Sequence, residues 1–207
     1  MFAYKIHRIF KHYDWKSSYE VIRNLKLIHT LVLDVGCGDG SKSIIHKDYI
    51  KVLIGLDINL KCLINANMKG IYVVQGEAIK LPFKNGSFDL VMSFHVIEHI
   101  KNDLMFINEI YRVLKETGYA ILITPNRIRS NTIIYKFLTR SKEMYPMNPE
   151  HVYEYTKEDF ETLLFKSYFK HYKVRPIGFI RLPILEIATI PHFFSKHCDQ
   201  LMAILRK

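Results

Sequence analysis

"LVLDVGCGDG", residues 31–40, decides how this chain is read. An aliphatic run ends in glycines at every second position, Gly36, Gly38 and Gly40, with Asp34 and Asp39 on either side. Such a run reads as a buried strand opening into a loop that lets a ligand come close to the backbone. Glycine loops after strands commonly cradle phosphate, using N–H donors and the positive end of a helix. Two carboxylates would repel a pyrophosphate. Ser41 also stands where the dinucleotide fingerprint has its third glycine. The pattern suits a ligand that is positive here, such as the ammonium of an amino acid.

Working outward, "KVLIGLD" (51–57) reads as the second strand and is closed by Asp57. An acidic residue at that place accepts hydrogen bonds from a ribose diol; alternatively, Asp57 caps the helix that follows. A ligand with a cationic amino-acid end at the first strand and a nucleoside at the second is required. S-adenosylmethionine meets both demands.

Strands and helices alternate through the rest of this region. "IYVVQGE", "FDLVMSF" and "GYAILITPN" read as further strands. Helices are expected over 59–68 and 103–115, and a short one in "GSKSIIHKDY". Near-continuous Val, Ile and Leu in the strands implies a parallel sheet covered on both faces. "TKEDFETLLFKSYF" is a helix with Thr156 at its N-cap and Asp159 three residues on. "HYKVRPIGF" and "QLMAILRK" supply the sixth and seventh strands. The fold class expected is therefore α/β: a Rossmann-like, doubly wound, seven-stranded, mostly parallel sheet whose last strand is antiparallel. A single domain over 1–207 is expected. It comprises a helical cap (1–30), a cofactor-binding core (31–126), an insert or lid (127–155), and a C-terminal helix with strands (156–207).

Composition narrows the class. The chain has 207 residues, 49% hydrophobic and 24% charged, which excludes a disordered or low-complexity protein. Three cysteines without paired spacing suggest neither a disulfide framework nor a zinc site, so reduced thiols in a cytoplasmic protein are expected. No metal site is expected. The apolar segment 177–194 is interrupted by Arg181, Pro183, Glu186 and Pro191, which argues against spanning a membrane and leaves peripheral contact open. The net charge of +10 favours anionic partners. No nucleic-acid module is recognisable, so nucleic acid is not the expected partner.

"VLDVGCGDG", "GLDIN", "VQGEAIKLPFKNGSFDLVMSFHVIEHI" and "EIYRVLKETGYAILITPN" occur in that order, with a looser "HVYEYTKEDFETLL" after them. With these the chain resembles the class I S-adenosylmethionine-dependent methyltransferases, in the small-molecule branch that includes ubiquinone-biosynthesis C-methyltransferases. The resemblance implies that Asp34, Gly36, Cys37 and Gly38 form the methionine end of a cofactor site. It further implies that Asp57 holds the ribose, Ile58 packs on adenine, Glu77 and Ala78 lie by the adenine amino group, and Ser93 and Phe94 border the methionine moiety. Glu77 departs from the family's usual aspartate.

Methyl transfer from a sulfonium is an in-line displacement, and a base helps only where the acceptor loses a proton. His99 and His151 are the candidates for the acceptor side, with His95 also near the rim. The place after the fourth strand reads "SFHV", without the Asn/Asp-Pro-Pro-aromatic run of amino methylation and without a nucleophilic cysteine. O-methylation of a small acceptor, anionic or lipid-linked or sugar-type, is the leading expectation, with Arg127, Arg129, Arg175 and Arg181 as a basic rim. C-methylation of a prenylated ring and non-catalytic cofactor binding are the alternatives, and a nicotinamide enzyme is the last.

Overall fold

The computed structural model describes residues 21–22, 31–128, 147–177, 180–181, 186–187 and 198–207. The expected N-terminal helices, most of the insert and the segment 177–194 fall largely outside them. Val21 and Ile22 are helical and buried.

Seven strands form one sheet: β1 (Leu31–Val35), β2 (Val52–Asp57), β3 (Tyr72–Gln75), β4 (Phe88–Phe94), β5 (Leu114–Pro125), β6 (His171–Ile177) and β7 (Gln200–Arg206). Their spatial order is β3-β2-β1-β4-β5-β7-β6. Pairs from β3 through β5 are parallel, and β7 runs antiparallel to both β5 and β6. The last strand thus does not extend the sheet at its edge. It inserts between β5 and β6. A separate two-stranded ribbon pairs Ile180–Arg181 with Glu186–Ile187.

Edge strand β6 places His171 and Lys173 in solvent, whereas the central strands are mostly apolar because they feed two cores. Leu33, Val91, Leu122 and Leu201 point to one, with Phe106, Ile110, Phe160 and Leu164 packed over them. Their neighbours Val32, Leu90, Ile121 and Met202 point to the other, against Ala66, Ile71 and Ile22. Side-chain alternation on a strand makes this division unavoidable once both faces are covered. Each such aliphatic side chain contributes about 1.5–3 kcal/mol of burial.

Three α-helices are described: α1 (Leu60–Met68), α2 (Asp103–Val113) and α3 (Lys157–Lys166). The side chains of Asn59 and Asn102 accept from the amides of Cys62 and Met105 at the starts of α1 and α2. Thr156 and Asp159 form the reciprocal capping box that opens α3. Two expected boundaries moved. The segment after the glycine loop is a 3-10 helix over Ile44–Tyr49, and the Ser43 hydroxyl donates to Asp34 rather than capping it. α2 stops at Val113 because Leu114 already pairs with Phe88 as β5.

Candidate functional site

The carboxyl ends of β3, β2, β1 and β4 lie side by side, and a cleft of about 900 Å³ runs across them. In an open α/β sheet this is where ligands sit. Glu77 and Ala78 follow β3, Asp57 and Ile58 close β2, Gly36 follows β1, and His95 and His99 follow β4. All of them line the cleft.

The bend after β1 is pinned to β2, since the amides of Gly36 and Cys37 both donate to the Leu56 carbonyl at 2.7 and 3.1 Å. Gly36 has a φ of +74°, and a Cβ there would lie 2.2 Å from a methyl of Val96. Only glycine fits, and its bareness keeps the middle of the cleft open.

Asp57 is held from two sides. One carboxylate oxygen accepts from the Gly38 amide at 2.8 Å, the other from the Asn59 amide at 2.9 Å. A carboxylate has about four lone-pair sites, so two remain for a diol. The capping alternative is corrected here, since Asn59 caps α1. Ile58 beside it is 69% exposed, an apolar side chain left uncovered in the cleft wall.

The two aspartates flanking the bend do different work from each other. Asp34 is buried, hydrogen-bonded by Ser43, and its carboxyl is pushed up to about 6, chiefly by loss of solvent. Asp39 is exposed and pairs with Lys69 at 2.7 Å, which with Ser41 holds its carboxyl down at about 2. The positive partner of Asp39 is therefore a lysine of the chain itself. Neither aspartate lines the cleft, nor do Cys37, Gly38, Ser93 or Phe94. Cys37 is buried and its thiol is pushed far up by desolvation, so it is an inert filler beneath the bend. Ser93 donates to the Val35 carbonyl at 3.0 Å, tying β4 to the end of β1, and Phe94 is buried beside His46.

The β4 end is rich in histidine. His95 has a φ of 60°, the one non-glycine residue with positive φ among the described residues. Its ring lies between Glu98 at 3.2 Å and Gln200 at 3.3 Å. His99 Nδ1 is 2.9 Å from the Glu150 carbonyl. His151 does not line the cleft, but its ring meets that of His99 edge to face at 5.0 Å, and its Nδ1 is 2.9 Å from Glu154. The amides of Val152 and Tyr153 donate to the Glu98 carbonyl, which brings these distant segments together. Of the expected basic rim, Arg127 lies 3.5 Å from buried Glu154 and balances it, while the side chains of Arg129 and Arg181 lie outside the described residues. Arg175 belongs to β6, the edge strand farthest from β3, and does not line the cleft. Among the described residues, Lys101 is the one Lys or Arg that lines it.

Glu98, Val96, Lys101 and Glu150 were not singled out from the sequence. The dense "HVIEH" carried a signal for Glu98, as three titratable residues within five positions of an apolar run. Nothing local marked Glu150.

The cleft joins a bare glycine bend, a fixed carboxylate with spare lone pairs, an uncovered apolar wall and a polar far end, and so it fits an adenosine-bearing amino acid. Residues 33–122 match the family model described as a methyltransferase domain. A relative from Mycolicibacterium smegmatis, named a probable S-adenosylmethionine-dependent methyltransferase, is 30% identical over 156 residues, 72% of this chain and 57% of its own. The chain spans about half the length of the curated relatives it matches. Among solved structures, a S-adenosylmethionine-dependent methyltransferase of Thermotoga maritima, described as a possible histamine N-methyltransferase, superposes with a TM-score of 0.70 at 20% identity, covering 99% of this chain and 94% of that one. Another from Archaeoglobus fulgidus gives 0.66 at 18% identity and covers 100% of both. These two likenesses concern the fold. Glycine bend, strand order and sequence match agree that residues 33–122 form a methyltransferase domain, similar to that of S-adenosylmethionine-dependent methyltransferases.

Proposed function

We propose that this chain moves a methyl group from S-adenosylmethionine to an oxygen of a small acceptor that is anionic, lipid-linked or sugar-type. The observation that carries this reading is the continuity of the cleft. It runs from Glu77 and Asp57, past Gly36, to His95 and His99. One end suits a nucleoside, and the other offers groups that handle protons.

The cofactor supplies an electrophilic methyl on a sulfonium when bound. The chain's own part is alignment and solvent exclusion. Asp57 accepts the ribose hydroxyls, and Ile58 covers a face of adenine. Glu77 and Ala78 sit by the exocyclic amine. Asp34 lies under the bend as a buried carboxylate, which favours a cationic ligand above it. His99 and His151 take the acceptor side, His99 lining the cleft and His151 packed edge to face against it. Lys101 and the overall charge of +10 favour a negatively charged acceptor.

The test is incubation of the full chain with methyl-labelled cofactor and cell extracts, with release of S-adenosylhomocysteine and the labelled product both followed. Label on oxygen supports the reading, label on carbon moves it to the prenylated-ring alternative, and cofactor binding without release makes the chain a binding protein. With an acceptor in hand, Lys101→Glu should raise KM roughly tenfold for anionic acceptors and leave neutral ones unmoved. Equal losses for both would exclude charge selection.

A further inference from the structure

Glu98, His99 and His151 bring their ligand atoms within 4.8 Å of one another at the β4 end of the cleft. One carboxylate and two imidazoles form a donor set suited to a divalent cation. Proton-handling histidines alone would not need Glu98, a fully buried carboxylate, beside them.

The surroundings of the two rings carry the argument further. His99 Nδ1 faces the Glu150 carbonyl, which can only accept, so the neutral ring carries its proton on Nδ1 and keeps the lone pair on Nε2. His151 Nδ1 faces the Glu154 carboxylate with the same result. Histidines that bind metals are held in this way, by a carbonyl or a carboxylate on the nitrogen away from the ion. Glu154 is itself fixed by Arg127. The oxygens of Glu98 accept from Thr124 at 3.1 Å and lie 3.2 Å from His95 Nδ1, with Lys42 interacting electrostatically with the same carboxylate. His151 Nε2 meets the amide of Asn148 at 3.3 Å, a weak contact that an ion displaces.

We propose that Glu98, His99 and His151 bind one divalent transition-metal cation, and that this cation holds the hydroxyl of the methyl acceptor in the cleft. Nitrogen donors favour Mn²⁺, Co²⁺ or Zn²⁺ over Mg²⁺. His99 lines the cleft, so the ion faces the acceptor's end of it. The inference rests on the methyltransferase reading only for the role of the ion, not for its binding. In that role the ion lowers the pKa of the bound hydroxyl. The proton leaves to water through the open cleft, and the oxygen pair forms the bond to the methyl carbon. The carbon–sulfur pair returns to sulfur, giving S-adenosylhomocysteine. The acceptor class implied is an alcohol or a diol, whose hydroxyl stays protonated at neutral pH without such help.

The test uses the full chain, stripped with a chelator and titrated with Co²⁺ under visible absorption, with Mn²⁺ in a parallel titration by paramagnetic resonance. One saturable ion per chain is expected, with His99→Ala and His151→Ala each weakening it by about 100-fold or more, and Glu154→Gln by roughly 10–100-fold. Glu98→Gln removes a buried charge and can unfold the chain. The exposed His99 is therefore the decisive position, with circular dichroism confirming that its variant is folded. Absence of saturable binding in the wild type, or binding unchanged in both histidine variants, overturns the site. Calorimetry with S-adenosylhomocysteine on the same sample separates the two ideas. Nucleoside binding without the ion sinks the metal site and spares the methyltransferase reading, whereas ion binding without the nucleoside does the reverse.

Discussion

The two ends of the cleft are built by opposite strategies. At the β1–β3 end a bare glycine bend and the side chains of Asp57, Ile58 and Glu77 line the cleft, and every contributor comes from a short stretch of chain beside its own strand. At the β4 end they are side chains, and residues some fifty positions apart must meet, as when His99 reaches the Glu150 carbonyl. The first end is fixed by the sheet itself. The second depends on the segment 147–155 docking against Glu98, through two backbone hydrogen bonds and the Asn126–Tyr155 bridge. A cofactor common to a family can be served by a local word, while an acceptor particular to one member requires a long-range assembly.

The sharpest way to break this contrast is at Gly36. Gly36→Ala places a methyl at a positive φ and against Val96, whose β-branched side chain is stiff at χ1. S-adenosylhomocysteine binding should fall about 1000-fold, on the order of 4 kcal/mol of strain and overpacking. Calorimetry checks it, and a loss below tenfold would mean that the bend is not the cofactor's seat.

A smaller effect is expected beneath the bend. Because burial raises Asp34 to about 6 from an ordinary value of 3.8, the native state holds a proton that the unfolded chain releases. The stability contributed by this carboxyl is therefore fully present below about pH 4 and is lost as pH climbs through about 6, an effect on the order of 3 kcal/mol. Denaturant titrations from pH 4 to 7.5 should show this slope in the wild type and a flatter one in Asp34→Asn. Equal slopes would move the burden to another group.

The smallest change tests the long-range end. Thr156→Ala removes the capping box of α3, next to Tyr155, whose hydroxyl donates to Asp103 at 2.9 Å. About 1 kcal/mol of stability should go, with nucleoside binding unmoved. If cofactor affinity followed the cap, the two ends would not be independent.

The same contrast explains what is legible in the sequence. Strands such as "VLDVG" announce themselves because a doubly covered strand is apolar on both faces, Asp34 being the exception here. Glycines at every second position mark a bend without any knowledge of the rest of the chain. The capping box of α3 is equally local. The partner of Asp39 is not, because Lys69 lies thirty positions away and the sequence carries no sign of their meeting. The end of α2 escapes helical spacing because the pairing of Leu114 with Phe88 outweighs it. Glu98 is visible only as one of three titratable residues in "HVIEH", and nothing near it marks its meeting with His151 far along the chain.

The insertion of β7 between β5 and β6 has a consequence for how the molecule is made. During translation residues 171–177 emerge before the strand that will attach them to the sheet, so β6 has no place to pair until Gln200–Arg206 follows. A nascent chain halted before that point would carry an unmated β-segment, open to chaperones, proteases and neighbouring ribosome products. Closure of the sheet thus waits on Gln200–Arg206.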